Sequence, residues 1–370
     1  MKILLTGAHG FLGWHTRARL RALTDHEVVT VGREQWADLG KHTEGVDAII
    51  HVAGVNRASD AEVERGNVDL ARSVADAARA SDSAPSIVYA NSIQSGNDSA
   101  YGIGKSIASD LLAAAAGELG AAYVDVRLPN LFGEHGRPQY NSFVATFVEA
   151  VVNGESPHIA DRPVDLLHVQ DAAQALIDGL STAERRLDPG GTAATVQGVF
   201  DTLHEFNALY AGGDIPPLLT GFDIDLFNTL RAAHFPAHYP IALSPRTDNR
   251  GSLVEVVRAH GGQGQTFVST TKPGITRGEH FHLCKVERFV VLSGEARISL
   301  RKLFSDEVVS FDVSGEAQSI VDMPTMWVHN ITNTGEGELT TLFWTHELFD
   351  PAAPDTFPEA VAIGKEGPTC

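Results

Sequence analysis

A doubly wound parallel α/β sheet followed by an all-β domain is the fold class that this sequence predicts, on three observations. The chain has 370 residues, about twice the usual size of a domain. Through residues 1–240 short apolar runs alternate with helical patterns, which implies a parallel sheet with helices on both faces. Through residues 241–370 short runs rich in Val, Thr and Phe take over, such as SLVEVVRA, QTFVSTTKP and EARISL. Their spacing is that of a sandwich or barrel.

The first element, KILLT, is a short buried strand that runs into Gly7, Gly10 and Gly13 and then the helical pattern WHTRARLRAL. In a βαβ unit such glycines allow a tight turn and close backbone approach. The helix N-terminus at Phe11 and Leu12 then faces a pyrophosphate. The second strand, EVVTVGRE, leads to Arg33. An acidic residue there would bind the ribose hydroxyls of NAD, whereas an arginine suits the 2′-phosphate of NADP. The third strand, DAIIHVAGVN, passes through Ala53, small enough for a cofactor to lie close, and the fourth, SIVYANS, ends at Ser92. Between them lies NVDLARSVADAARA, a helix by its period.

The chemistry comes next, in Tyr101 and Lys105 of YGIGK. Four residues apart on a helix, they share a face. A nearby ammonium is expected to lower the tyrosine pKa. Such a tyrosine can protonate a carbonyl oxygen as hydride reaches the carbon, with a serine hydroxyl, here Ser92, on the same oxygen.

These residues carry a family likeness. Gly7, Gly10, Gly13, Ser92, Tyr101 and Lys105 together resemble the short-chain dehydrogenase/reductase superfamily, whose fold is of the Rossmann type. RLPNLFG, NSFVATFVEAVVNGE and VDLLHVQDAAQAL resemble its extended, nucleotide-sugar branch. The likeness implies that Asn130, Arg137, Asn141, Phe143 and His168 lie near the sugar or its diphosphate. No Thr-Asp-Glu triplet for dehydration is present, so ketone reduction with NADPH suits the chain better than an internal oxidation cycle.

From 185 to 245 prolines and glycines rise, in LDPGGT, GGDIPP and FPAHYPIALSP, and the domain boundary is expected near 240. Beyond it, in GITRGEHFHLCKVERFVVLSG, His280 and His282 point to one face of a strand. A turn at LCKV returns Glu287 beside them, and His329 joins from a distant strand-like run. Imidazoles with one carboxylate suit a divalent ion such as zinc, nickel, iron or manganese, zinc first. Gly274, His280, His282, Glu287 and Gly294 fit the first motif of the cupin superfamily without gaps. Pro324, His329 and Asn333 fit the second, with Met326 in place of its glycine. The segment LSPRTDNRGSLVEV with TRGEHFH also resembles cupin-type epimerases of 4-keto nucleotide sugars. The proton-abstracting base stays open among Lys285, Lys272, Glu279 and His346, with Lys285 taken as the catalytic residue.

Taken whole, the chain resembles bifunctional capsule and O-antigen enzymes of the UDP-N-acetyl-L-fucosamine route. That likeness implies a UDP-activated keto-amino-sugar as substrate. A cupin would epimerise C3 of a UDP-2-acetamido-2,6-dideoxy-4-hexulose, and the first domain would reduce C4 with NADPH to a 6-deoxy-talose-type sugar. A single-function reductase with a cupin for pairing or sensing is the alternative, and a homodimer is the expected assembly.

Composition narrows the class further. A formal charge of −19 argues against nucleic acid, for which no basic stripe is available. Cys284 and Cys370 are too few for a disulfide framework and fit a reducing compartment. Neither a signal peptide nor a run of 18 apolar residues appears. A cytoplasmic protein that makes no use of a membrane is the expectation.

Overall fold

A computed structural model describes residues 1–362. Cys370 lies outside the described residues. By its contacts the chain divides into Met1–Thr146 with Ile159–Gln197, and Phe147–His158 with Gly198 onward.

In the first unit, strands β1 (Lys2–Thr6), β2 (Glu27–Val31), β3 (Ala48–His51), β4 (Ser86–Ser92) and β5 (Tyr123–Leu128) form a parallel sheet in the order β2-β1-β3-β4-β5. The short strand Arg186–Leu187 closes one edge. Strand order reverses between β1 and β3, the switch point at which open α/β sheets bind ligands beyond the carboxyl ends of their strands. Both faces of the sheet are buried, which is why its strands read as continuous apolar runs. Leu4, Ile49 and Ile87 pack under helices α3 (Asp60–Ala80) and α4 (Ala100–Leu119). Ile3, Leu5 and Val88 face the opposite way, toward Leu20 of α1 (Phe11–Leu23) and Leu176 of α6 (Val169–Asp178). A second, small sheet joins β6 (Asn130–Phe132), β7 (Pro163–His168) and β9 (Thr192–Thr195).

The second unit holds two antiparallel five-stranded sheets. One contains β13 (Gln265–Thr271), β15 (Glu287–Ser293), β18 (Ser319–Met323) and β20 (Leu339–Thr345). The other contains β14 (Thr276–Phe281), β16 (Glu295–Lys302), β17 (Val308–Ser314) and β19 (Trp327–Asn333). This is the all-β domain of the sequence reading.

Residues 198–240, which that reading gives to the first domain, pack with the second unit. The reason is a buried polar network on helices α7 (Val196–Tyr210) and α8 (Gly221–His234). The Arg288 guanidinium donates to both Asp322 oxygens at 2.7 and 2.9 Å and to the Gly213 carbonyl at 2.6 Å. Tyr210 donates to Asp322 at 2.7 Å, and Arg231 of α8 donates to the Met323 carbonyl at 3.0 Å. Once buried, these groups have no water to turn to, so the helices that complete them cannot leave. Sequence punctuation at 240 marks the end of the helices rather than the edge of the packing.

Asp322→Ala leaves the wholly buried Arg288 without its counter-charge. Denaturant unfolding is expected to show a loss of about 3–5 kcal/mol. Adding Arg288→Met should recover most of it. An Asp322→Ala protein of wild-type stability would mean the pair does not secure the helices.

Candidate functional sites

The glycine turn after β1 is built for close contact. Gly7 has φ +68°, and a Cβ on it would meet the Ala53 nitrogen at 2.7 Å. A Cβ on Gly13 would meet the Gly7 carbonyl oxygen at 2.1 Å. Helix α1 starts at Gly10 without a side-chain cap or an acidic residue in its first turn. By contrast, α3 and α8 carry capping boxes and Ser99 caps α4. The N–H groups of α1's first turn therefore suit an anionic ligand. Arg33 is exposed just beyond β2, with no ion pair among the described residues.

Ser92 ends β4, and Tyr101 and Lys105 lie one turn apart at the start of α4. The two glycines between them are contact positions. A Cβ on Gly102 would meet Asn97 Oδ1 at 2.0 Å, and one on Gly104 would meet the Glu64 backbone at 2.9 Å. Lys105 is buried, donates from Nζ to the Ala90 carbonyl at 2.6 Å and lies 4.2 Å from the Tyr89 ring centre. Burial lowers its pKa to about 7, against a smaller pull from Asp125. Tyr101 departs from the sequence expectation. Its pKa is raised by burial, a hydrogen bond with Ser92 offsets part of the rise, and Lys105 does not contribute. The ammonium is spent on the Ala90 carbonyl and the Tyr89 ring, so the phenol keeps its proton.

Sequence reasoning missed His51 at the end of β3. Thr6 Oγ1 accepts from the Val52 and Ala53 N–H groups at 3.2 and 3.3 Å and gives its own proton to His51 Nδ1 at 2.7 Å. The ring stacks on Tyr89, and burial, helped by Lys105, lowers its pKa to about 3. The one visible signal was a histidine closing the apolar run AIIH.

The residues assigned to substrate divide. Asn130, Arg137 and Asn141 are exposed, and Asn130 donates to the Asp165 carbonyl at 3.3 Å. His168 is buried instead, with Nε2 at 3.0 Å from Glu134 Oε2. Burial alone would raise the Glu134 pKa, but the His168 charge and hydrogen bond outweigh it and hold the acid well below its usual range. His168 is thus committed to an internal pair.

In the second unit β14, β15 and β19 bring His280, His282, Glu287 and His329 together, with one ligand atom of each within 4.8 Å of all the others. A bulge between Gly278 and His280 sets the first imidazole in register with His329. Each ring has one nitrogen on a backbone oxygen. His282 Nδ1 donates to the Asp355 carbonyl, His329 Nδ1 donates to that of Trp327 at 3.0 Å, and His280 bonds to the Gly278 backbone. The Nε2 atoms of His282 and His329 then face Glu287 Oε2 at 3.1 and 3.2 Å. In the protein alone the Glu287 carboxylate pairs with these rings, and its charge and hydrogen bond raise the His282 pKa against the effect of burial. Three nitrogens and one oxygen fit a divalent transition ion, with the carbonyls orienting the rings. Met326 keeps the turn of the glycine it replaces: its φ is +61°, and its N–H bonds to the His282 carbonyl at 2.7 Å.

A cavity of 190 Å³ opens on this group, lined also by Gln265, Phe267, Lys285, Thr345, Glu347, Phe349 and Thr356. Of the four candidate bases, Lys285 lines it. Glu279 is held by Asn330 and the Val361 N–H, His346 accepts from the Val286 N–H, and Lys272 is exposed elsewhere. A further residue the sequence did not reveal is Asp355. Its carboxylate accepts the N–H groups of Leu283, Cys284 and Lys285 at 2.9, 3.0 and 2.8 Å, while the Pro354 carbonyl accepts from Lys285 Nζ. This loop therefore fixes both His282 and Lys285.

Residues 3–189 match the NAD dependent epimerase/dehydratase family. The chain belongs to that family. Residues 246–357 match the polysaccharide biosynthesis C-terminal domain. Over 98% of its length this family member is 31% identical to the whole of the UDP-2-acetamido-2,6-beta-L-arabino-hexul-4-ose reductase of Pseudomonas aeruginosa. It is 32% identical to the crystal structure of the capsular polysaccharide assembling protein CapF from Staphylococcus aureus. That likeness covers 98% of this chain and 100% of the other, with a TM-score of 0.60. The UDP-glucose 4-epimerase of Thermotoga maritima, 20% identical with a TM-score of 0.51 over 56% of this chain and 83% of its own, shares the fold. No helix among the described residues is long and apolar enough to cross a membrane.

A lysine that holds its proton less tightly folded than unfolded opposes folding fully below the lower pKa. That opposition fades as pH rises from about 7 toward 10.5. Lys105→Met removes it. The melting-temperature difference, variant minus wild type, should be most positive below this window and fall across it. A difference that does not change with pH would show that Lys105 carries no buried charge.

Proposed function

We propose that the chain is a two-site nucleotide-sugar enzyme, which reduces the C4 ketone of a UDP-linked 2-acetamido-2,6-dideoxy-4-hexulose in its first unit and inverts C3 of the same sugar in its second. The observation that carries the reading is one polypeptide with a Ser92–Tyr101 pair at the same carboxyl edge of the parallel sheet as the glycine turn, and with an imidazole–carboxylate cluster opening on a cavity lined by Lys285. Full-length likeness to a reductase of a UDP-linked hexulose supports the substrate class.

In the first unit Gly7, Gly10, Phe11, Leu12, Gly13 and Ala53 would hold NADPH, with Arg33 on its 2′-phosphate. When bound, this cofactor supplies hydride. Tyr101, kept protonated by burial, donates its proton to the ketone oxygen, and Ser92 holds the same oxygen. Lys105, one turn along α4 from Tyr101, holds the Ala90 carbonyl at the end of β4 and so supports the strand that carries Ser92.

In the second unit His280, His282, Glu287 and His329 would hold a divalent ion, zinc by donor type, which supplies Lewis acidity to a bound carbonyl. Lys285 removes the C3 proton while the electron pair of that C–H bond passes into an enolate with the C4 oxygen, and a proton taken from solvent water on the opposite face restores the ketone with C3 inverted. Only while C4 is a ketone is that proton acidic enough to exchange, so epimerisation precedes reduction.

Tyr101→Phe should lower NADPH oxidation by about 10²–10⁴-fold while deuterium from solvent still enters C3. Loss of both together would refute separate sites, and full NADPH turnover would refute the role of Tyr101. For the second unit, elemental analysis should find a divalent metal at about one per chain in the wild type and much less in His282→Ala. A metal-free wild-type chain with full C3 exchange would leave the cluster structural.

A further inference from the structure

We infer that Arg57 and Arg137 form a paired-guanidinium clamp for the diphosphate of the nucleotide sugar. The inference rests on the nucleotide-sugar reading above and adds a residue, Arg57, that neither the sequence motifs nor the reaction chemistry had assigned. Arg57 lies in the loop between β3 and α3. β3 pairs in parallel with β4, so this loop leaves the same carboxyl edge of the sheet as Ser92. Arg137 lies in the loop that follows β6. The two loops meet at Tyr140. The guanidinium carbon of Arg57 is 5.8 Å from the centre of that ring and the carbon of Arg137 is 5.3 Å from it. Both cations therefore lie against the one ring of Tyr140, and the sum of those distances sets their greatest separation.

Two exposed cations drawn together in this way repel each other, and this chain has neutralising groups in excess, with 47 acidic against 28 basic residues. Even so, neither guanidinium makes an ion pair among the described residues. Arg57 makes one hydrogen bond, from Nη1 to the Gln139 carbonyl at 2.9 Å, which ties the two loops and leaves its remaining N–H donors for a ligand. A diphosphate has two adjacent anionic groups, and arginine matches each through paired N–H donors. The cofactor's own pyrophosphate has a separate seat at the turn of Gly7 and the first turn of α1. The clamp is left for the other anion that this edge of the sheet must bind.

The test is calorimetric titration of the full chain with UDP, uridine and NADPH. Wild type should bind UDP more tightly than uridine. Arg57→Ala and Arg137→Ala should each weaken UDP by about 10- to 100-fold, the effect of losing a charge-assisted hydrogen bond. Uridine and NADPH affinity should stay within about twofold in both variants, and Arg57→Lys should regain part of the UDP affinity through its charge. Equal losses for UDP and uridine in Arg57→Ala would reduce the residue to a loop tether and overturn the clamp. So would an unchanged UDP affinity, or a loss confined to NADPH. A wild-type chain that fails to prefer UDP over uridine would remove the nucleotide-sugar reading itself and the clamp with it.

Discussion

Backbone carbonyls hold the candidate site residues of both units, and the electrostatics of those residues depend on that choice of partner. Lys105 donates to Ala90, Lys285 to Pro354, His282 to Asp355 and His329 to Trp327. A carbonyl satisfies an N–H and fixes its direction without cancelling its charge. The position of each oxygen is set by a strand or a latched loop, so the side chain inherits the precision of the backbone. The protonation states follow. Lys105 feels its burial in full and sits near neutrality, where a carboxylate partner would have held it charged. His282 and His329 each set Nδ1 on a carbonyl, and the Nε2 of each is aimed at Glu287.

Where the fold needs strength rather than reactivity, charges meet charges. Arg288 and Asp322 are wholly buried and doubly bonded, and Tyr210 completes the acid. Glu134 and His168 form a similar pair within the first unit. A desolvated ion pair has no incentive to open toward a ligand, because either partner left alone would be strongly disfavoured.

Helix starts make the same distinction in backbone form. Ser59 and Thr220 spend their oxygens on the first turns of α3 and α8, and Ser99 does so on α4. The first turn of α1 has no side-chain cap, and the glycines around it let the chain pass within contact distance of Ala53. In YGIGK the glycines are equally required: α4 could not approach Glu64 or the 94–97 loop with side chains at those places.

Local rules were enough for much of this. Period, glycine placement and the spacings of Tyr101 with Lys105 and of His280 with His282 and Glu287 fixed the fold class and grouped the candidate residues, because a strand or helix converts spacing directly into direction. Arg57, His51 and Asp355 were not legible, since each acts on residues far along the chain and none sits in a spacing that a single element imposes. The direction of the Tyr101 shift was hidden for a related reason: the i, i+4 rule puts Lys105 on the same face, but only the packed neighbours decide whether its ammonium points to the phenol or to a carbonyl. His168 and the membership of residues 198–240 turned on burial, which belongs to the assembled core. Sequence alone determined which elements form and which side chains leave a common face. Tertiary structure decided which of those side chains lose water and to what partner, and desolvation and its compensation are properties of the surroundings rather than of the residue.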